Sequence, residues 1–305
     1  MNHSLQHPVH PSRTALVLGG GGSTGNAWLI GVIAGLFDAG VDVTDADLIV
    51  GTSAGSTAAA QITGAAPPQL LAQALEAIPP RRSGPIGPDG GRPANGAVAS
   101  HMERLTRIIA ASADPADLRR RMGEAALETD DTADGSGRWR SIVAARLPRQ
   151  EWPAQRVLIT AVDARTGDPA VFDRHSGIDL VDAVAASCSS GFAYSVGEGR
   201  YIDGGYRSNA ENADLAAGYT RVLVLSPFGG RSLTPWEWGT HLSTQVDDLR
   251  ASGSTVETVF PESDAEYLFG PDAMDLSLRP PAARSGYDRG RAIAGRIAEF
   301  WGRDG

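Results

Sequence analysis

The chain has 305 residues, 42% of them apolar and 21% charged, with a formal net charge of −9. That length supports a real hydrophobic core, and the acidic balance argues against nucleic acid as a partner, because phosphate backbones are bound by basic fields. The single cysteine, Cys188, excludes an intramolecular disulfide framework and a cysteine-based metal cluster, and it reads as a small buried residue.

The opening MNHSLQHPVHPS has neither the basic start nor the apolar stretch of a signal peptide, and no window is apolar enough to span a bilayer. Residues 1–12 are expected to be a flexible tail ahead of a single domain at 13–305. The cytoplasm is the expected location, with transient membrane contact left open. Residues 14–18 read as a buried strand and 26–39 as a helix with Trp28, Leu29, Val32, Ile33, Leu36 and Phe37 at helical spacing. A second strand at 47–50 runs into GTSAG, and an alanine-rich helix follows at 54–62. Two strand, glycine turn and helix units so close together predict an α/β fold, a parallel sheet covered by helices.

The proline- and glycine-dense stretch at about 79–100 is expected to be a mobile loop. Residues 101–128 read as helical and 129–138 as another loop, whose acidic residues fit no calcium-loop spacing and suit a solvated face. Segments 157–162 and 170–172 flank Thr166-Gly167-Asp168 as a hairpin, 180–186 is a short helix, and 201–202 is a short strand leading into Asp203-Gly204-Gly205. A helix at 209–217, a strand at 221–225 and a helix at 284–301 complete the reading.

Gly51-Thr52-Ser53-Ala54-Gly55 fits G-x-S-x-G with a strand before it and a helix after it. In such a turn the serine is forced outward at the sheet's edge, and the small neighbours let the backbone turn sharply. A serine hydroxyl needs a partner to take its proton. Three of the six histidines lie in the tail, leaving His101, His175 and His241, and only His241 follows in the Ser, Asp, His order of an α/β-hydrolase triad. Asp203, left open by Gly204 and Gly205, is the other candidate base. The stretch GGGGSTG at 19–25 can cradle a phosphate or an oxyanion, since both uses need bare backbone N–H groups at a helix start. Gly20-x-Gly22-x-x-Gly25 also fits a dinucleotide fingerprint, but Asp42, Asp45 and Asp47 precede the second strand where that fingerprint wants an acid at its end.

Taken in order, GGGSTG at 20–25, GTSAG at 51–55 and DGG at 203–205 resemble the patatin-like phospholipase family, and the likeness runs from about 14 to 227 through LITAVDARTGDPAVFD, AASCSSGFAYSV and Asn209. The resemblance implies a three-layer α/β/α fold with a mainly parallel central sheet and an acyl hydrolase with a serine–aspartate dyad and no catalytic histidine, acting on lipid or other acyl esters without metal or cofactor. By position it makes Ser53 the nucleophile and Asp203 the base, puts the N–H groups of Gly21 and Gly22 in an oxyanion hole, and gives supporting roles to Gly20, Gly25, Gly51, Gly55, Gly204 and Gly205. Two positions depart from the family pattern. Thr24 stands where an arginine or lysine is usual, with Arg207 weighed as a replacement cation against a plain surface arginine, and Ala210 stands where a proline is usual.

Overall fold

The computed structural model describes residues 13–76, 94–129 and 133–302. The expected tail at 1–12 and the 79–93 part of the expected loop lie outside the described residues. In chain order the elements are β1 (Thr14–Leu18), α1 (Gly22–Asp38), β2 (Leu48–Gly51), α2 (Ala54–Ile62), α3 (Pro67–Leu75), α4 (Ala94–Ala111), α5 (Pro115–Glu128) and α6 (Ala133–Ala144). They continue with β3 (Val157–Asp163), β4 (Pro169–Phe172), α7 (Leu180–Ser187), β5 (Tyr194–Val196), β6 (Gly199–Asp203), β7 (Arg221–Leu225), α8 (Leu242–Ala251), β8 (Thr255–Val259) and α9 (Arg279–Trp301).

All eight strands join one sheet in the order β5-β6-β3-β2-β1-β7-β8, with β4 paired to β3. The run β3, β2, β1, β7 and β8 is parallel, and β4, β5 and β6 add antiparallel pairs. β1 shows why the centre is buried on both faces: Leu16 and Leu18 pack with α1, α2, α7 and α9, while Ala15 and Val17 pack with α8 and the turn Ala213–Ala216. A strand covered on both sides must be apolar throughout, and TALVL is the sequence form of that requirement. The three-layer α/β/α arrangement expected from the sequence is the one observed. No described helix is long and apolar enough to cross a membrane.

Several boundaries differ from the sequence reading. α1 starts at Gly22, so the second half of the glycine stretch is already the first turn of a helix. Residues 94–100 and 133–138 are helical where loops were expected. In α6 the packing overrides poor local propensity: Val143 is fully buried and the Trp139 indole N–H donates to Ala185 O at 3.0 Å. Segment 209–217 holds only a short 3₁₀ turn at Ala213–Ala216. There the Asn209 carboxamide oxygen accepts the N–H groups of Glu211 (2.9 Å) and Asn212 (2.7 Å), and Asn212 is left-handed at φ 55, which a continuing helix forbids. Strands β5 and β8 and helices α3 and α8 had no counterpart in the sequence reading.

The register places the site. β1 and β2 are parallel neighbours with Leu18 beside Gly51, so the chain leaves both strands at the same edge. β6 pairs antiparallel with β3, setting Asp203 opposite Ala161.

Candidate active site

Gly51 and Gly55 make the turn between β2 and α2 sterically feasible. A Cβ on Gly51 would lie 2.7 Å from Ser56 Cα, and one on Gly55 would collide with the carbonyl of Leu18. Ser53, between them, adopts φ 51 and ψ −116, and with Asn212 it is one of two non-glycine residues at positive φ among the described residues. Such a backbone costs on the order of 1–3 kcal/mol and persists only where its surroundings hold it. Here they do: Ser53 N–H donates to Ser187 Oγ (2.9 Å), and Ser53 O accepts from Ser56 Oγ (2.6 Å) and Cys188 Sγ (3.1 Å).

The Ser53 hydroxyl donates to Asp203 Oδ2 at 2.8 Å, across 150 positions of sequence. Gly205 N–H donates to Asp203 Oδ1 at 2.8 Å, so both carboxylate oxygens are held. Asp203 is 7% exposed, and burial pushes its carboxyl up to about 6, with the bonds from Gly205 and Ser53 pulling the other way. Gly204 is needed for this approach, because a Cβ there would run into Thr160 of β3. A buried network backs the pair: Asn212 Nδ2 donates to Thr52 Oγ1 (3.0 Å) and Gly204 O (3.0 Å), and Thr160 Oγ1 donates to Thr52 Oγ1 (2.9 Å).

The glycine loop packs directly against this turn. A Cβ built on Gly20 would be 3.6 Å from Ser53 Cβ, and one on Gly21 would be 2.7 Å from Pro227. The loop's N–H groups divide into two sets. Gly19 donates to Leu225 O, Gly20 to Ala210 O, Thr24 to Ala273 O and Gly25 to Gly21 O. Those of Gly21, Gly22 and Ala54 meet no acceptor among the described residues. They lie at the N-terminal ends of α1 and α2, neither of which has an acid in its first turn.

Other sequence candidates are placed elsewhere. His241 Nε2 is 3.0 Å from Thr234 O and its ring lies 4.4 Å from that of Trp236, so it bonds neither Ser53 nor Asp203. Asp47 accepts from Thr14 N–H at the opposite end of β1 (2.8 Å) and Asp42 accepts from Thr44, so the acid that a dinucleotide fingerprint needs is not at the end of β2. Arg207 is neither a surface arginine nor a cation of the site. It is tied to Asp214 (2.8 Å) and Asn212 (3.0 Å) with 15% of its side chain exposed. Thr24 is fully buried, its hydroxyl donating to Leu268 O at 2.7 Å, where a longer cation would displace the segment at 268–273. Asn209 closes a turn instead of capping a helix.

Sequence reasoning missed Ser187, Thr52, Thr160, Asn212 and the buried Glu211, and it gave Cys188 no part beyond that of a small buried residue, where the thiol bonds Ser53 O. Burial pushes the Cys188 thiol up to about 11, which keeps it protonated as a donor to Ser53 O. The block AASCSSGFAYSV carried the only signal for Ser187 and Cys188, and nothing in it pointed to Ser53.

Residues 16–215 match the family model described as patatin-like phospholipase, which is 200 of the 305 residues. No curated protein matches the chain. Among solved structures it is similar to VipD from Legionella pneumophila, at 11% identity and a TM-score of 0.38 over 94% of this chain and 67% of that one. It is also similar to the type III effector protein ExoU, at 14% identity and a TM-score of 0.30, covering 92% of this chain and 54% of that one. Both likenesses are distant, and the chain spans about half of ExoU. With the family model matched over more than half its length, the chain belongs to the patatin-like phospholipase family, hydrolases that act on lipid esters.

Proposed function

We propose that this protein hydrolyses carboxylic esters of lipids through a Ser53–Asp203 dyad. Ser53 Oγ attacks the ester carbonyl as Asp203 takes its proton, and that proton passes to the departing alcohol. Water, deprotonated by the same carboxylate, then attacks the acyl-serine and releases the acid and the free Ser53 hydroxyl. The oxyanion of each tetrahedral intermediate is held by the N–H groups of Gly21 and Gly22, with Ala54 N–H as a third donor, a kind of contact worth about 3–4 kcal/mol each.

The observation that carries the reading is the 2.8 Å bond from Ser53 Oγ to a buried carboxylate, made beside the N–H groups of Gly21, Gly22 and Ala54, which meet no acceptor among the described residues. Asp203 needs no histidine to work as a base, because burial has already raised its affinity for a proton. Hydrolysis of a short p-nitrophenyl ester by wild type, Ser53→Ala and Asp203→Asn is the test. Both variants are expected to lose about 10⁴-fold or more in kcat. The base must be ionised, so wild-type kcat/KM should fall as pH drops through about 6 and stay level above it. Undiminished turnover in either variant removes that residue from the mechanism.

A further inference from the structure

Ser53 lies just past the end of β2 and Asp203 ends β6, and β3 runs between those two strands. Strands two places apart in a sheet are about 10 Å apart, so no backbone ladder joins the two turns or sets the 2.8 Å bond between their side chains. Thr52, one residue before Ser53, and Gly204, one residue after Asp203, are spanned by a single side chain. Asn212 Nδ2 donates to Thr52 Oγ1 and to Gly204 O, each at 3.0 Å. Thr160, on the intervening β3, completes the bridge, its hydroxyl donating to Thr52 Oγ1 at 2.9 Å.

The position makes two demands, and asparagine meets both. The backbone of Asn212 is left-handed, at φ 55 and ψ 44, a region that asparagine enters more readily than most residues with a side chain. Glycine would accept that backbone but would bring no donor. The side chain must also turn its NH₂ end to Thr52 and Gly204, and Arg207 fixes that choice, because Arg207 Nη1 donates to Asn212 Oδ1 at 3.0 Å. Arg207 is held in turn by both carboxylate oxygens of Asp214 (2.9 and 2.8 Å), and Asp214 accepts from Gln245 of α8 at 2.9 Å. Asn212 has no exposed surface, so water does not stand in for these bonds.

We propose that Asn212 is a positioning residue for hydrolysis by the dyad: its carboxamide clips the turn that carries Ser53 to the turn that carries Asp203, and so sets the distance over which the proton passes. This role rests on the ester-hydrolase reading above. Without the clip, Thr52 Oγ1 and Gly204 O each lose a donor and the two turns relax separately. A displacement of about 1 Å in a reacting pair costs on the order of a hundredfold in rate. Burial raises the Asp203 carboxyl, and the Gly205 N–H, carried on the same turn as Gly204, is the stronger of the two bonds that oppose the rise.

Asn212→Gly separates the carboxamide from the backbone, because glycine keeps the left-handed conformation and removes only the side chain. On a short p-nitrophenyl ester it is expected to lower kcat about tenfold to a hundredfold per folded molecule, with KM within about threefold of wild type. Its acid limb should move above the wild-type value of about 6, since the loosened turn weakens the Gly205 bond. The thiol of Cys188 and the phenol of Tyr206, which Asp203 reaches electrostatically, are both pushed up by burial and stay neutral through this range, so the limb reports Asp203. Asn212→Asp keeps the shape and the left-handed preference but offers Gly204 O an acceptor in place of a donor. It carries the test if Asn212→Gly does not fold, with a similar loss of kcat expected at about pH 8.5, above the limb. Wild-type kcat with the limb unmoved in Asn212→Gly overturns the proposal, as does wild-type kcat in Asn212→Asp or a loss that only matches the unfolded fraction seen by circular dichroism. A wild type that hydrolyses no ester sinks the dyad reading and this role with it, whereas an active wild type beside an indifferent Asn212→Gly sinks this role alone.

Discussion

Ser53 can hold its left-handed backbone because both of its own backbone polar groups are bonded by side chains. Ser187, fully buried at the end of α7, accepts the N–H, while Ser56 and Cys188 donate to the carbonyl. Removing the Ser187 hydroxyl leaves a buried N–H without an acceptor, a loss of about 1–3 kcal/mol, and frees the turn to relax away from Asp203. Ser187→Ala should therefore lower kcat by about tenfold to a hundredfold with KM little changed. The acid limb near 6 should stay in place, because Asp203 keeps its burial and its Gly205 bond. A rise in KM at unchanged kcat would show that Ser187 serves binding instead. Ser53 and Asp203 were legible in the sequence because each sits in a turn with its own local signature, small residues around the serine and two glycines after the aspartate. Ser187 lies 134 positions from Ser53, and a hydroxyl among small residues has no local mark, so its role appears only when α7 and α2 are brought together.

At the scale of elements, the site depends on α1 being held at a fixed height against the sheet, and α9 does the holding. Gly31 and Gly35 on α1 face Gly286 and Gly290 on α9, both pairs at a spacing of four residues. A Cβ on Gly31 would strike Ala283 O, and one on Gly286 would strike Trp28 O, so the two helix backbones touch without side chains between them. Gly286→Ala must push the helices apart and is expected to cost about 1–3 kcal/mol. Gly295, on the same helix with open space around its Cβ position, supplies the contrast: Gly295→Ala should stabilise by roughly 0.5–1 kcal/mol. Urea unfolding of the two variants checks this, and equal effects would sink the close-packing argument. Both helices were legible from apolar spacing, but their pairing was not, since glycines at a spacing of four look like breakers until a second backbone lies on them. The same limit explains α6, where Asp134, Gly135, Ser136 and Gly137 read as a loop and the packing of Trp139 and Val143 keeps the segment helical.

Across the whole molecule, the edge where β1 and β7 end encloses a second buried acid. Glu211 is 1% exposed, accepts from Ser226 Oγ at 2.6 Å and packs against Gly19, while Ser226 Oγ accepts from Gly230 N–H at 2.9 Å. Burial raises its carboxyl to about 7, opposed by the Ser226 bond and its own N–H, with no other charge acting on it. The folded pKa of an acid raised in this way means that the native state holds the proton longer than the unfolded chain. Stability is then fullest below the unfolded value of 4.5, declines as pH rises through the interval up to about 7, and is constant above it. Asp203 adds a decline of the same sign between 3.8 and about 6. The net charge of −9 adds self-repulsion in the same direction, so the wild-type slope alone does not isolate either acid. Glu211→Gln does isolate one, since it keeps the shape and the acceptor while removing the titration. Urea unfolding should show wild type less stable at pH 8.5 than at pH 5.5, and the variant should narrow that difference by on the order of 2 kcal/mol. An unaltered difference would mean that Glu211 ionises in the fold as easily as in the open chain, and that the junction behind the glycine loop tolerates charge.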